Sequence, residues 1–275
     1  MFNSFHHTVP IWNFDPKPPV LEGTGIFVGV DQHRYVVTAA HVLQNSNGKP
    51  VFGSLSNDGN LNLFGEKKPL ILMAVDQTGK GDPATAEYAN RLDLGIICLR
   101  PEARAWLEER YTPFDFPANN APLNPGTCFI SGWPEKKNQF NHHRKTVQLG
   151  SKPGCYHIQA PAAPAERVIE IGGIPDIHFA LEMNLRKDFY DQRTRQRITL
   201  FRPEGLSGSG VWNMNSDDGD SMPLCAQSLA GILIEYDDKK HMALVIREKY
   251  IWPLLIQAMA GEASFSPLAS AYSTA

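Results

Sequence analysis

Several things that would narrow the role of a protein at once are scarce in this chain of 275 residues. It has four cysteines, Cys98, Cys128, Cys155 and Cys225, and no C-x-x-C pair, which argues against a thiolate metal cluster or a dithiol redox centre. No stretch approaches the roughly 20 apolar residues of a membrane helix, so no membrane partner is expected. The opening "MFNSFHHTVPIWNFDPKPPV" lacks a basic start followed by an apolar run. A cytoplasmic location and reduced thiols are therefore expected. An excess of one charge is missing too. A formal net charge of -3 gives no general attraction to nucleic acid or acidic lipid. The pairs His6–His7 and His142–His143 have no acidic or cysteine neighbours at ligand spacing and read as solvated loop histidines, so neither a metal nor a cofactor is expected.

What is present is an ordinary globular composition, 42% hydrophobic and 20% charged, on a chain long enough to bury a sizeable core. Short β-branched and aromatic runs recur along it, and two of them, residues 26–30 and 35–38, flank "DQHR" as a hairpin would. Further runs cover residues 70–75, 94–99, 129–133, 179–183, 230–236 and 242–246, with glycine, proline, asparagine and aspartate between them. This pattern predicts an all-β sandwich or barrel. Cys98 and Cys128 fall inside such runs and read as buried thiols. Residues 101–126 are irregular and proline-rich, suiting a connection between two halves, and the basic stretch 135–152 reads as a long surface loop. Near the end, "EKYIWPLLIQAMA" has helical spacing, provided Pro253 falls in the first turn.

Three motifs carry chemistry. In "VVTAAHVL", His41 follows a β run and two small residues. In "NRLDLGIICL", Asp93 opens a strongly apolar strand, where a carboxylate is costly unless something donates hydrogen bonds to it. In "EGLSGSGVW", two serines stand among three glycines. Each motif alone has a plain structural reading: a core histidine, a strand-start cap, a flexible loop. Together they supply a nucleophile, a base to take its proton and a carboxylate to fix the tautomer of that base. A glycine-rich turn also presents backbone N–H donors to an oxyanion.

The order His41, Asp93, Ser207, at intervals of about 50 and about 110 residues, resembles that of the chymotrypsin-like serine peptidases. The blocks "TAAHV", "DLGII" and "GLSGSG" look like the three catalytic blocks of that family. The resemblance makes Ser207 the nucleophile, Ser209 a packing residue, and the N–H groups of Gly205 and Ser207 the oxyanion hole. It implies an all-β fold of two six-stranded antiparallel β-barrels of the chymotrypsin type with a C-terminal helix. An N-terminal arm would cover residues 1–20, a first barrel 21–110, a linker 111–126 and a second barrel 127–247. The helix would cover 248–261 and a flexible tail 262–275. Where secreted digestive members place an aspartate that receives a freed N-terminus, this chain has Leu206, and no "IVGG"-type start is present. Activation by N-terminal cleavage is therefore not expected, and the chain looks more like the bacterial HtrA-type peptidases, without a PDZ domain.

The same resemblance places Phe201 at the base of a specificity pocket, with Arg202 beside it. Its wall would come from "AGILIEY", including Ile234 and Tyr236. Small or medium apolar side chains before the cut are expected, unless Arg202 points inward and favours an acidic one. The implied activity is endopeptidase hydrolysis of a protein or peptide partner through an acyl-enzyme. Two other classes stay open: a silent binding module on this fold, and an esterase-like acyl hydrolase. An α/β-hydrolase is excluded, because its order is Ser, Asp, His.

Overall fold

The computed structural model describes residues 4–13, 20–44, 52–55, 61–63, 70–72, 92–99, 101–115, 127–134, 138–141, 146–149, 156–184, 189–190, 197–198, 203–214 and 226–259. Two sheets account for most of them. In the first, the strands are β1 (Thr8–Asn13), β2 (Val20–Val30), β3 (His33–Ala39), β4 (Phe52–Leu55), β5 (Leu61–Leu63), β6 (Leu70–Leu72) and β7 (Leu94–Cys98). They lie in the order β5-β4-β1-β2-β3-β7-β6, every pair antiparallel, and the short β8 (Phe114–Asp115) adds in parallel to β2. The expected hairpin joins β2 to β3 through Asp31 and Gln32, with Asp31 at φ 49°, a left-handed conformation that aspartate tolerates better than most residues.

The second sheet runs β13-β18-β17-β16-β9-β12-β14-β15. These are β9 (Thr127–Gly132), β12 (Tyr156–Pro161), β13 (His178–Glu182), β14 (Phe189–Tyr190), β15 (Arg197–Ile198), β16 (Gly210–Met214), β17 (Ala226–Asp237) and β18 (Met242–Arg247). The chain just past β12 returns to β13 through an Ala162–Leu181 bridge, and Ala163 N–H donates to Ala180 C=O at 2.8 Å. Strands β9, β12, β13, β18, β17 and β16 thereby close into a barrel without free edges. The two antiparallel sheets and the C-terminal helix are consistent with the two-barrel architecture expected from the sequence.

Strand β18 shows why its sequence is apolar without alternation. Ala243 and Val245 point into a core inside the barrel, while Met242, Leu244 and Ile246 join a larger cluster shared with the first sheet. A strand buried on both faces needs no polar side. Trp212 on β16, fully buried, belongs to that shared cluster. The terminal helix, Ile251–Met259, packs Leu255 there too, and Pro253 does fall in its first turn.

Four expectations need correction. The proline-rich connection begins with a helix, Pro101–Glu108. Proline is tolerated at a first helical position, where its missing N–H would go unused, and Ala103 and Leu107 bury one face. The basic stretch holds a two-stranded hairpin, β10 (Asn138–Asn141) with β11 (Thr146–Leu149). Cys98 is exposed, because it ends β7 where the strand leaves the core; Cys128 is buried as expected, and burial pushes its thiol up to about 11. His7 is no solvated loop residue. It is 6% exposed, its Nδ1–H donates to Thr112 C=O at 2.6 Å, and Thr112 N–H returns a bond to His6 C=O. Its ring sits 5.6 Å from that of Phe114 and 5.8 Å from that of Trp212. Cys155, Cys225, His142 and His143 lie outside the described residues.

Burial lowers the pKa of His7 below 6.5, against the opposing pull of its bond to Thr112. Between that depressed value and 6.5 the unfolded chain binds more protons, so the contribution of neutral His7 is complete above 6.5 and is lost as pH falls. Urea midpoints of the wild type should therefore drop more steeply from pH 7.5 to pH 5.5 than those of His7→Asn. Equal slopes would show that His7 does not carry the effect.

Candidate active site

Helix α1 (Ala40–Gln44) starts where β3 ends and lies against β7. A Cβ at Gly95 would stand 2.7 Å from Leu43 Cδ1 and 3.3 Å from Ala40 Cα, so a larger residue there would push on the helix. Asp93 meets the start of α1 with three acceptors. Its C=O takes Ala40 N–H at 2.8 Å, its Oδ1 takes His41 N–H at 2.9 Å, and its Oδ2 lies 2.6 Å from His41 Nδ1. A carboxylate bonded to a helix's first N–H groups contributes about 1 kcal/mol as a cap. Here the second oxygen is also used to orient the imidazole. The conformation of Asp93 is strained, at φ 38°, which a side chain bonded on both oxygens holds in place. The bond at Nδ1 selects the tautomer whose Nε2 is free to accept a proton.

His41 is partly open to solvent, its side chain 35% exposed against 21% for Asp93. Burial opposes its charging, but the hydrogen bond and charge of Asp93 outweigh that, with help from the Glu235 carboxylate. The net result holds the imidazole above its usual 6.5. Glu235 is exposed on β17, just past a bulge between Leu233 and Glu235.

The serine turn spans residues 203–209, between the strands of the second sheet and the first. Gly205 and Gly208 take φ of 87° and 86°. At Gly208 no side chain fits: a Cβ would stand 1.9 Å from Thr24 C=O. Leu206 is fully buried in the core of the second barrel. Ser207 is half-buried, whereas Ser209 is fully buried and its Oγ has no hydrogen bond among the described residues. A Cβ at Gly23 would stand 2.7 Å from Val42 Cγ2 and 2.8 Å from Ser207 C=O, so one glycine separates the serine turn from α1.

The peptide groups of this turn are used alternately. Leu206 N–H donates to Pro203 C=O at 2.9 Å, Gly208 N–H to Leu233 C=O at 2.7 Å and Ser209 N–H to Leu206 C=O at 2.9 Å. The N–H groups of Gly205 and Ser207 make no backbone hydrogen bond among the described residues. These are the two donors assigned to an oxyanion.

Such an arrangement can be set beside known proteins. The profile of the trypsin-like peptidase domain matches residues 23–217. The chain belongs to that family. Among solved structures, this trypsin-like peptidase domain is similar to the complex of kallikrein-related peptidase 10 with Zn2+ (16% identity, 93% of this chain and 96% of that one, TM-score 0.50). It is also similar to the scabies mite inactivated protease paralogue S-I1 (12% identity, 93% and 96%, TM-score 0.52). At these identities the likeness concerns the fold. No curated protein matches the sequence.

Of the pocket residues expected from the sequence, Phe201 and Arg202 lie outside the described residues. Ile234 is 4% exposed and faces the core shared by the two sheets. The Tyr236 hydroxyl donates to Met183 C=O at 3.0 Å. Among the described residues no cluster of His, Cys, Asp and Glu is arranged to hold a metal. Two residues near the site received no role from the motifs: Thr24, whose only local signal is its place in "GTG", and Trp133.

By NMR, the His41 imidazole should titrate above 6.5. Glu235→Gln should lower its midpoint modestly, and Asp93→Asn should take it below 6.5, because burial is then opposed only by the smaller pull of Glu235. The sign for stability follows. The contribution of charged His41 is complete below 6.5 and is lost as pH rises through the higher folded value. A midpoint unmoved in Asp93→Asn would refute this account.

Proposed function

We propose that this trypsin-like domain is a serine endopeptidase, with Ser207 as nucleophile, His41 as general base and Asp93 as the carboxylate that orients it. The observation that carries the reading is the doubly bonded His41–Asp93 pair, together with a serine turn whose Gly205 and Ser207 amides make no backbone hydrogen bond among the described residues. Ser207 Oγ attacks the carbonyl carbon of the substrate while its proton passes to His41 Nε2. The new imidazolium keeps its Nδ1–H on Asp93, whose negative charge stabilises it. The Gly205 and Ser207 N–H groups receive the oxyanion. His41 then protonates the leaving nitrogen as the C–N bond breaks, which leaves an acyl ester on Ser207. Water, deprotonated by His41, hydrolyses the ester and restores the serine.

Two serines compete for the nucleophile's place, and their burial separates them. Ser209 Oγ is shut against β9, where a Cβ on Gly132 would lie 2.0 Å from it, while Ser207 is partly accessible. A base that works only when neutral, and whose pKa is raised, sets the acid limb of activity above pH 6.5.

A fluorophosphonate should label the wild type and Ser209→Ala, and should fail on Ser207→Ala. Asp93→Asn should lower kcat/KM on a peptide amide by about 10³-fold or more while keeping its fold, since the wrong tautomer is then favoured. An unlabelled wild type would instead support a silent binding module, and labelling with cleavage of esters but not amides would support the acyl-hydrolase reading.

A further inference from the structure

Both carbonyls that fix the serine turn end on one residue outside it. Thr24, on β2 of the first sheet, is fully buried. Its Oγ1–H donates to Gly205 C=O at 2.7 Å, and its N–H donates to Ser207 C=O at 2.8 Å. The hydroxyl oxygen in turn accepts Trp133 N–H at 2.9 Å, which settles its donor direction: the proton must lie toward Gly205. Thr24 C=O accepts Thr38 Oγ1–H at 2.6 Å. Across the strand pair stands Pro10, which has no N–H to offer that carbonyl.

These bonds act on whole peptide planes. The Gly205–Leu206 plane is held at its carbonyl by Thr24 Oγ1 and at its N–H by Pro203. The Ser207–Gly208 plane is held at its carbonyl by Thr24 N–H and at its N–H by Leu233. Each plane is fastened at both ends, so neither can rotate without breaking two buried hydrogen bonds. The two planes between and before them carry the unused N–H groups of Gly205 and Ser207. Fixing every second plane fixes the direction of the free donors.

We infer that Thr24 is a positioning residue that holds the oxyanion-binding turn ready before any substrate arrives; the inference rests on the peptidase reading and assigns the residue that preorganises its site. The Thr24 amide is common to any residue at this position, so the specific contribution lies in the hydroxyl, which alone joins Trp133 to Gly205. Valine preserves the shape of threonine without that hydroxyl and leaves Gly205 C=O and Trp133 N–H buried and unpartnered. Serine preserves the hydroxyl without the methyl.

The experiment compares Thr24→Val and Thr24→Ser on a fluorogenic peptide amide and on a peptide boronate that mimics the tetrahedral intermediate. Thr24→Val should lose about 10- to 100-fold in kcat with KM within about twofold, because the donors are misaimed only for the transition state. Boronate affinity should fall in parallel with kcat/KM, and Thr24→Ser should recover most of both. A Thr24→Val enzyme with unchanged kcat and boronate affinity overturns the inference, as does a Ser variant no better than Val. Should Thr24→Val not fold, hydrogen exchange of the wild type decides. The fastened N–H groups of Leu206, Gly208 and Ser209 should be equally protected before and after phosphonylation, and a large gain at these in the adduct means that the turn was not held in advance. A wild type that takes no fluorophosphonate overturns the peptidase reading itself, a result separable from active wild type with an indifferent Thr24.

Discussion

Four hydrogen bonds fasten the serine turn between the sheets: two from Thr24 on one side and two with Leu233 on the other. The rest of the site depends on them, because a buried turn must satisfy its peptide groups and yet leave selected N–H donors open. Alternation solves that conflict. Glycine at positive φ lets the backbone reverse between fastened and open planes, and the crowding of Gly208 by Thr24 shows how little space the solution leaves. Leu206, buried in the second barrel, anchors the same turn by packing.

The hydrogen bonds of the charged half of the site come from the first sheet and the helix that follows its third strand. Asp93 spends both carboxylate oxygens on one residue, His41, through its backbone and its ring. A single ion pair would leave the imidazole free to swivel; the added backbone bond ties the carboxylate to the helix that carries the ring. Because His41 is only partly buried, solvent still shares in its charge, and the exposed Glu235 contributes across the seam from the second sheet. The first sheet therefore brings His41 and the second Ser207, the base and nucleophile of the proposed reaction, and the two sheets share the core around Trp212.

Sequence reading succeeded where the signal is local. β-branched runs marked β2, β3, β6, β7, β9, β13, β17 and β18 but missed the other strands, Pro253 located the start of the final helix, and the histidine and aspartate motifs lie together. It failed where burial or bonding is decided elsewhere. His7 and His6 are identical as letters, yet Phe114, Thr112 and Trp212 enclose only one of them. Cys98 belongs to an apolar run but ends its strand outside the core. The prolines between 101 and 126 disguised a helix, because proline at a helix start reads like proline in a loop. Thr24 offered almost nothing, since its hydroxyl acts on a residue far along the chain.

That separation has a consequence for the order in which the molecule is made. The Thr24–Gly205 bond joins residues 181 positions apart, and the Leu233 contacts require still more of the chain. During synthesis β1, β2, β3 and α1 can assemble while Gly205 has yet to be added. Contacts of such long range form late, after the loops that join them have closed. Growth from the N-terminus thus puts the fastening of the serine turn among the last events of folding. A half-made chain would already carry His41 and Asp93, but its serine turn would not yet be fastened.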